Sequence, residues 1–588
     1  MGFFDNMNPS DLQTRTINDV RPIKVIVFGA GLSGILASIL LPRAIEKLEL
    51  VIYEKNAAIG GTWLENVYPG VACDIPSHSY QFSFENNPGW SSYYAPGPEI
   101  QAYLMRTTEK YDGYRYMKFQ HKVHKAVWDD EEGKWHVNVL DIVTGNPFTD
   151  TADVVISATG LLNQWRYPDI PGLQSFKGKL VHSAGYDTSY DHRGKRVALI
   201  GGGSSGIQIL PTIQPTVEKV DYYMRSQTWI PPVGFGAEGL AEQNGSVFTP
   251  PDYLEKFKND PAAYLDFRRR IEDVMNMPSE ALYQNTDAMK LAMEATRDHM
   301  KTKLAKKPEI IEALVPDFAV GCRRLTPGPG YLEALGEENV NFIPTPIQEV
   351  VEDGLITEDG KRREVDMIIC ATGFQEVHKV HFPVIGKNGI NLQDIWDDFP
   401  EAYLSIAPAH IPNYYCLLGP NGGAAQGSNV IFLENGVRYV IKIVQKIQRE
   451  YIKSITPKTE MVKAFRKYAD RFFQPTVFSD SCRMWPGSSL HGSAAIGNPR
   501  WEDFEYELRP ELKGNPLSWF GNGFTKEQIT PGAFTTPYLD PDVAYVPVEN
   551  PLLPKEGPKE IQPEKEEKQP AMKVGEKELP IRDVVTTS

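Results

Sequence analysis

Cysteine is scarce in this sequence. Cys73, Cys322, Cys370, Cys416 and Cys482 lie scattered through 588 residues with no C-x-x-C pair. That scatter excludes a clustered zinc site and a redox dithiol, and it fits a reducing compartment. No run of about 18 apolar residues occurs, so no membrane-spanning helix is expected. Positive charge is also short, with 61 Lys and Arg against 76 Asp and Glu and a formal net charge of -15. The balance excludes a broad nucleic-acid footprint or a basic membrane surface and leaves room for a local basic pocket. The opening MGFFDNMNPSDLQTRT has no basic stretch followed by an apolar core, and the closing TTS is no address signal. The expected location is therefore cytoplasmic.

Glycine is what the chain has in quantity, 48 residues, against an ordinary background of 41% hydrophobic and 23% charged residues. Three G-x-G-x-x-G patterns occur, and context separates them. Gly29-x-Gly31-x-x-Gly34 follows the apolar run KVIVF and opens ILASILL. Gly201-x-Gly203-x-x-Gly206 follows RVALI and opens IQIL. The third, Gly234-x-Gly236-x-x-Gly239, follows Pro231-Pro232 with no strand before it and is set aside. In the first two, strand, turn and helix stand in the order a dinucleotide needs. The first glycine makes the turn, the second lets the backbone approach a pyrophosphate, and the third lets helix pack on strand. Alternating strands, Gly-rich turns and helices predict an α/β fold with largely parallel sheets and two Rossmann-like units.

The end of each second strand predicts which dinucleotide binds. Glu54, 25 residues after Gly29, places a carboxylate where it can take a ribose hydroxyl; its other reading is a surface carboxylate at a strand end. In the second unit Arg225-Ser226 follows Gly201 by 24 residues, and a cation there suits a 2'-phosphate and hence NADPH; its other reading is a solvated arginine. Ser204, Ser205 and Gln208 open the second helix and are candidates for cofactor phosphates or for helix capping. Two dinucleotide units in one chain imply electron transfer between two cofactors, NADPH reducing FAD.

Further motifs carry a resemblance to a family over roughly residues 20 to 505. These are Gly60-Gly61-Thr62-Trp63 through Tyr68-Pro69-Gly70 to Cys73-Asp74, the turns Ala158-Thr159-Gly160 and Ala371-Thr372-Gly373, and Arg323-Arg324-Leu325 with Gly330-Tyr331. With them goes Phe176-x-Gly178-x-x-x-His182-x-x-x-Tyr186-Asp187. Together they resemble the class B flavin monooxygenases, and within them the Baeyer–Villiger monooxygenases, with most likeness to a subgroup known from fungal secondary metabolism. The resemblance implies oxygen insertion next to a ketone carbonyl through a peroxide adduct at flavin C4a, with O2 and a small-molecule ketone as partners. It implies Arg324 and Asp74 as catalytic residues and Arg323 beside the nicotinamide cofactor. It also implies flavin contacts from Thr62, Trp63, Asn66, Asp74 and Tyr80, where Trp63 and Tyr80 can equally be aromatic core. It implies a part for His182 in positioning the domains, and read by itself His182 is a hydrogen-bonded linker residue and not a catalyst.

Two features depart from the family pattern. Tyr186 stands where a tryptophan is usual, and Arg483-Met484-Trp485-Pro486 follows Cys482 where relatives carry a longer loop. Heteroatom oxygenation and a flavin-binding scaffold without oxygenation therefore stay open as alternatives. Flavin disulfide reduction fails for want of a C-x-x-C.

The expected organisation is an N-terminal arm (1–20), an FAD-binding first part (21–165), and an NADP-binding domain (166–345) with a helical insertion at about 234–320. A second FAD part and C-terminal region (346–540) follow, then a disordered tail (541–588) rich in Pro, Glu and Lys.

Overall fold

Two five-stranded parallel sheets are built on the same plan. In the computed structural model the described residues are 15–17, 19–232, 241–243, 246–277, 280–322, 325–375, 380–397, 399–423, 426–478, 484–509, 517–533 and 535–536, with the pairs 573–574 and 577–578. The first sheet runs Tyr414–Cys416, Val154–Ser157, Ile23–Phe28, Leu48–Tyr53, Met117–Lys118, every neighbouring pair parallel. The second runs Val340–Ile343, Lys219–Tyr223, Arg196–Ile200, Met367–Cys370, Lys179–His182, again all parallel. The central strands are apolar almost without alternation because helices and loops bury both of their faces.

Register brings the functional turns to one edge of each sheet. Phe28 pairs with Tyr53 and with Ser157, so Gly29, Glu54 and Ala158 leave the first sheet together. Ile200 pairs with Tyr223 and with Cys370, so Gly201, Met224 and Ala371 leave the second together. Ligands of open parallel sheets bind at this carboxyl edge. Here the two A-T-G turns find a physical reason. A Cβ on Gly29, at φ +103°, would meet the Ala158 carbonyl oxygen at 2.7 Å, and one on Gly201, at φ +117°, would meet that of Ala371 at 2.2 Å. The third glycines answer to helix–strand crossing, since a Cβ on Gly34 or Gly206 would stand 2.0 or 2.1 Å from the carbonyl oxygen of Gly29 or Gly201.

Between Met117–Lys118 and Val154–Ser157 of the first sheet the chain forms a smaller sheet in which His121–Asp129, Lys134–Asp141 and Pro147–Ala152 run antiparallel. Between Lys219–Tyr223 and Val340–Ile343 of the second come the helices Pro251–Asn259, Pro261–Asn276, Asp287–Lys303 and Glu309–Leu314. Prolines begin two of these helices: Pro251 and Pro261 occupy first-turn positions, where no N–H is needed. Asp260 caps the second helix by accepting from the N–H groups of Ala262 and Ala263. The 21-residue helix Asn429–Arg449 packs on Leu32–Ala44 within the main core.

The chain divides into two compact units, Met1–Met7 with Val20–Trp519, and Asn8–Asp19 with Phe520–Ser588. In the second, Ile17 N–H donates to Phe524 O and Asn522 N–H to Arg15 O. The expected loose arm falls largely outside the described residues. So does the expected tail, apart from a two-rung ladder of Lys573–Val574 with Lys577–Glu578. The discarded third glycine pattern lies wholly outside them. Among the described residues no helix is long and apolar enough to cross a membrane.

Candidate cofactor and active site

Both glycine turns open into one cavity of about 610 Å³. From the first unit its wall takes Gly29, Gly31 and Glu54, then Thr62, Trp63, Asn66, Asp74 and Tyr80. From the second it takes Gly203, Ser204, Ser205 and Gln208. Gly34 stands behind this wall in helix–strand packing.

Gly31 and Gly203 are the N-caps of the helices Leu32–Ala44 and Ser204–Ile213, and neither helix has a side-chain cap. A Cβ on Gly203 would meet no heavy atom within 4 Å, and one on Gly31 only the Gly61 backbone at 3.5 Å or beyond. Each turn therefore presents bare N–H groups, at the positive end of a helix, to open space. That is what a pyrophosphate requires, and the residues fit FAD and a nicotinamide dinucleotide.

Glu54 is not a surface carboxylate. It is 4% exposed, accepts from Ala30 N–H at 2.7 Å and from Asn56 N–H at 2.8 Å, and lines the cavity. Burial raises its carboxyl above the ordinary range, and the two N–H donors work against that rise. Each oxygen keeps a lone pair for a hydroxyl donor.

Strand register corrects the correspondence drawn for the second unit. Tyr53 and Tyr223 are equivalent strand ends, so the residue in Glu54's place is Met224, with Arg225 one position beyond. The Met224 side chain lies against Gly202, where a Cβ would meet its Cε at 2.5 Å, just as Glu54 meets Ala30 in the first unit. A thioether there has no carboxylate to offer a ribose. Arg225 and Ser226 are exposed and lie outside the cavity wall.

Gln208 also departs from its expected part. Its Oε1 accepts from Tyr68 OH at 2.8 Å and its Nε2 donates to Ala72 O at 3.0 Å, so the amide is committed to the Tyr68–Ala72 segment and not to a phosphate. Gly70, at φ +82°, presses the same segment onto this helix: a Cβ there would stand 2.4 Å from Gln208 O. The Y-P-G motif is thus the seam between the two nucleotide units. Ser204 is bound sideways, its hydroxyl 2.6 Å from that of Thr326. Trp63 Nε1 donates to Tyr80 OH at 3.2 Å and the two rings meet edge to face, giving the cavity a fixed aromatic corner.

The fingerprint residues stand elsewhere, and none of Phe176, Gly178, His182, Tyr186 and Asp187 lines the cavity. His182 is buried, stacked on Trp165 at 4.6 Å and 7°, with Nδ1 accepting from Ala184 N–H. Burial lowers its pKa, so the ring is a neutral packing element. Trp165 belongs to the segment that follows the first A-T-G turn, so His182 braces that link. Asp187 pairs with Lys179 and accepts from Ser189, which hold its carboxyl down at about 2. Phe176 packs in the core, and a Cβ on Gly178 would strike its ring at 2.5 Å. Arg323, Arg324, Cys482 and Arg483 lie outside the described residues.

Several lining residues escaped the sequence reading. Leu161 to Gln164 continue the first A-T-G turn, Lys122 comes from the strand His121–Asp129, His381 comes from a distant loop, and Val430 and Leu433 come from the first turns of the Asn429–Arg449 helix. That last helix could have been found: Ser428 before an apolar 3.6-residue period is an N-cap signal, and its hydroxyl does accept from Val430 N–H.

Comparison with known proteins accords with this geometry. A family model described as flavin-binding monooxygenase-like matches residues 22–233. The FAD-binding monooxygenase moxY of Dothistroma septosporum is 35% identical over 548 residues, covering 89% of this chain and 86% of its own. The FAD-binding monooxygenase tazF of Aspergillus terreus is 37% identical, with 86% and 92% covered. A Baeyer–Villiger monooxygenase of Pseudomonas aeruginosa is 34% identical, with 83% and 89% covered. Among solved structures, cyclohexanone monooxygenase from a Rhodococcus species bound to NADP+ superposes with a TM-score of 0.72 at 26% identity, covering 83% of this chain and all of that one. This chain belongs to the class B flavin monooxygenases, in the group that contains the Baeyer–Villiger monooxygenases.

Proposed function

We propose that this chain, an FAD- and NADPH-dependent monooxygenase, inserts one atom of O2 beside the carbonyl of a small-molecule ketone, giving an ester or lactone in secondary metabolism. The observation that carries this is the single cavity onto which both uncapped helix N-termini open, lined from both sides. Such an arrangement brings the reacting ends of two dinucleotides together and shields them from water. Bound flavin, once reduced by the nicotinamide cofactor, supplies the activated oxygen.

The chain's own residues position and stabilise. Glu54 takes the ribose of FAD, and the bare N–H groups after Gly31 and Gly203 take the two pyrophosphates. Arg225, exposed at its strand end, takes the 2'-phosphate of NADPH. Thr62, Asn66 and the Trp63–Tyr80 corner hold the flavin, and Asp74 on the cavity wall orients the catalytic arginine. By its place in the motif that arginine is Arg324, a permanent cation that stabilises negative charge developing on the substrate oxygen, with Arg323 on the nicotinamide side. A cytoplasmic site suits the four described cysteines, which form no disulfide with one another.

Product analysis by mass spectrometry with isotopically labelled O2 and a panel of ketones, amines and sulfides tests the reading. One labelled oxygen in an ester or lactone supports it. Label only in N- or S-oxides, or NADPH consumption without labelled product, overturns it.

A further inference from the structure

Arg268 and Glu434 are buried charges outside the cofactor cavity wall, and they hold the two ends of a single peptide group. Arg268 stands on the helix Pro261–Asn276, in the stretch inserted into the second unit. Its Nη1 donates to Phe82 O at 3.2 Å and to Asn86 Oδ1 at 2.7 Å. Glu434 stands on the helix Asn429–Arg449, which packs on Leu32–Ala44 of the first unit. It accepts from Ser83 N–H at 2.7 Å and from Ser83 OH at 2.5 Å. Phe82 O and Ser83 N–H belong to one peptide, so its carbonyl faces a cation and its N–H an anion, each at the end that the peptide dipole favours.

That peptide lies in an irregular strap, residues 77–87, which brings Tyr80 to the cavity wall. Ties to both helices bracket the Tyr80 ring. Ser428 Oγ, at the start of the Asn429–Arg449 helix, donates to Ser79 O at 2.9 Å on one side. The clamped peptide of Phe82 and Ser83 follows on the other. The far end of the Pro261–Asn276 helix is fastened nearby: Gln426 Nε2 donates to Met277 O at 3.0 Å and Ser489 Oγ to Asn276 Oδ1 at 3.1 Å.

We propose that Arg268 and Glu434 are positioning residues for the flavin ring: by clamping the strap they fix the Trp63–Tyr80 corner against the ring and so set the ring's place for reduction by the nicotinamide. The inference rests on the placement of the flavin at that corner given above. Stability alone gives little reason for the two charges. Arg268 has Glu272 at 3.6 Å on its own helix and Glu434 has Arg438 at 3.8 Å, and buried ion pairs commonly stabilise no more than apolar side chains of the same volume. Direction is what they add. An apolar contact lets a strap slide, whereas charge-assisted hydrogen bonds to both ends of one peptide fix its distance and its plane.

A tryptophan or tyrosine in contact with a flavin quenches its fluorescence by electron transfer, so emission from the oxidised, FAD-loaded protein reads the corner without any ketone. Trp63→Phe supplies the reference for a corner that no longer quenches fully. Arg268→Met together with Glu272→Gln removes the buried cation with its counter-ion, and Glu434→Gln, the milder change, removes the anion at constant size. Both proteins keep their flavin and their Kd for NADPH, and their flavin emission rises toward that of Trp63→Phe. Anaerobic stopped-flow at saturating NADPH shows the limiting rate of flavin reduction falling about tenfold, part of the hundredfold that a displacement of about 1 Å can cost. Adding Glu434→Gln to the Arg268 variant raises the emission no further, because both charges act on one peptide. Unchanged emission in flavin-loaded variants, where Trp63→Phe does raise it, overturns the proposal and leaves the flavin at the corner. Loss of flavin from Glu434→Gln as well as from the Arg268 variant also overturns it, since the clamp then holds the fold and not the ring. No rise in Trp63→Phe itself overturns the placement of the flavin, and the proposal with it.

Discussion

The two nucleotide units repeat one backbone plan and part at the end of the second strand. Each has five parallel strands, an uncapped helix after the glycine turn, and an A-T-G carbonyl against the first glycine. At the end of the second strand the first unit buries Glu54 on the neighbouring N–H groups, while the second buries Met224 and turns Arg225 outward. Backbone geometry makes a dinucleotide site, and the residue at that strand end decides which dinucleotide and how firmly it is held. The carboxylate of the first unit is buried and fixed, whereas the cation of the second stands in solvent.

The largest effect comes from filling the second glycine of each turn. Gly31→Val puts a branched side chain where the pyrophosphate of FAD must come, and it yields protein without flavin absorbance. Gly203→Val keeps the flavin and loses NADPH oxidation, because open space surrounds its Cβ and the fold tolerates it. Flavin content and NADPH consumption, measured on both, break the comparison if either variant loses the wrong cofactor.

Arg324→Ala comes next and concerns what neither unit supplies alone. FAD stays bound, product formation falls about 10²–10³-fold, and reducing power leaks to hydrogen peroxide. Arg324→Lys restores little, since a point charge on a flexible stem does not reproduce a planar guanidinium. Stopped-flow reduction rates alongside product yield per NADPH check this; near wild-type yield from Arg324→Ala removes it from the chemistry.

The difference between the two strand ends is tested directly by Arg225→Ala. A charge-assisted hydrogen bond to a phosphate is worth about 1.5–3 kcal/mol, so the NADPH KM rises roughly one to two orders of magnitude while that of NADH hardly moves. Adding Met224→Glu rebuilds the carboxylate of the first unit and moves the preference further toward NADH. Equal losses for both cofactors would make Arg225 structural.

Much of this was legible in the sequence because the constraints are local. A glycine turn between an apolar strand and an apolar helix is written in about a dozen consecutive residues, and both units were visible that way. The strand-end correspondence slipped by one because counting from Gly201 cannot see register; Met224 takes Glu54's place only once Tyr223 is paired with Ile200. Gln208 was misread for a related reason. It stands where a phosphate ligand could stand, and its partners, Tyr68 and Ala72, are more than a hundred residues away. The A-T-G turns were noticed, but their cause, a carbonyl against the first glycine of each unit, is a contact between distant segments.

The smallest effect concerns how the two units are joined. Tyr68 donates to Gln208 across the seam, and burial raises its phenol pKa, so it remains a neutral donor through the physiological range. Tyr68→Phe removes that hydrogen bond and the one the phenol makes with Ser205, and leaves Gln208 Oε1 without its partner, while the bond from Nε2 to Ala72 O and the contact at Gly70 remain. A neutral hydrogen bond contributes about 0.5–1.5 kcal/mol, so the seam loosens without parting. Flavin content and the NADPH KM stay as they were, because no cofactor contact is lost. The rate of flavin reduction by NADPH falls about two- to tenfold, as the second unit holds its cofactor less firmly over the first. Gln208→Leu removes both bonds and slows reduction further. Anaerobic stopped-flow reduction at saturating NADPH separates this from a binding defect. A raised NADPH KM with an unchanged limiting rate would return Gln208 to the cofactor site and end its role as the joint between the two units.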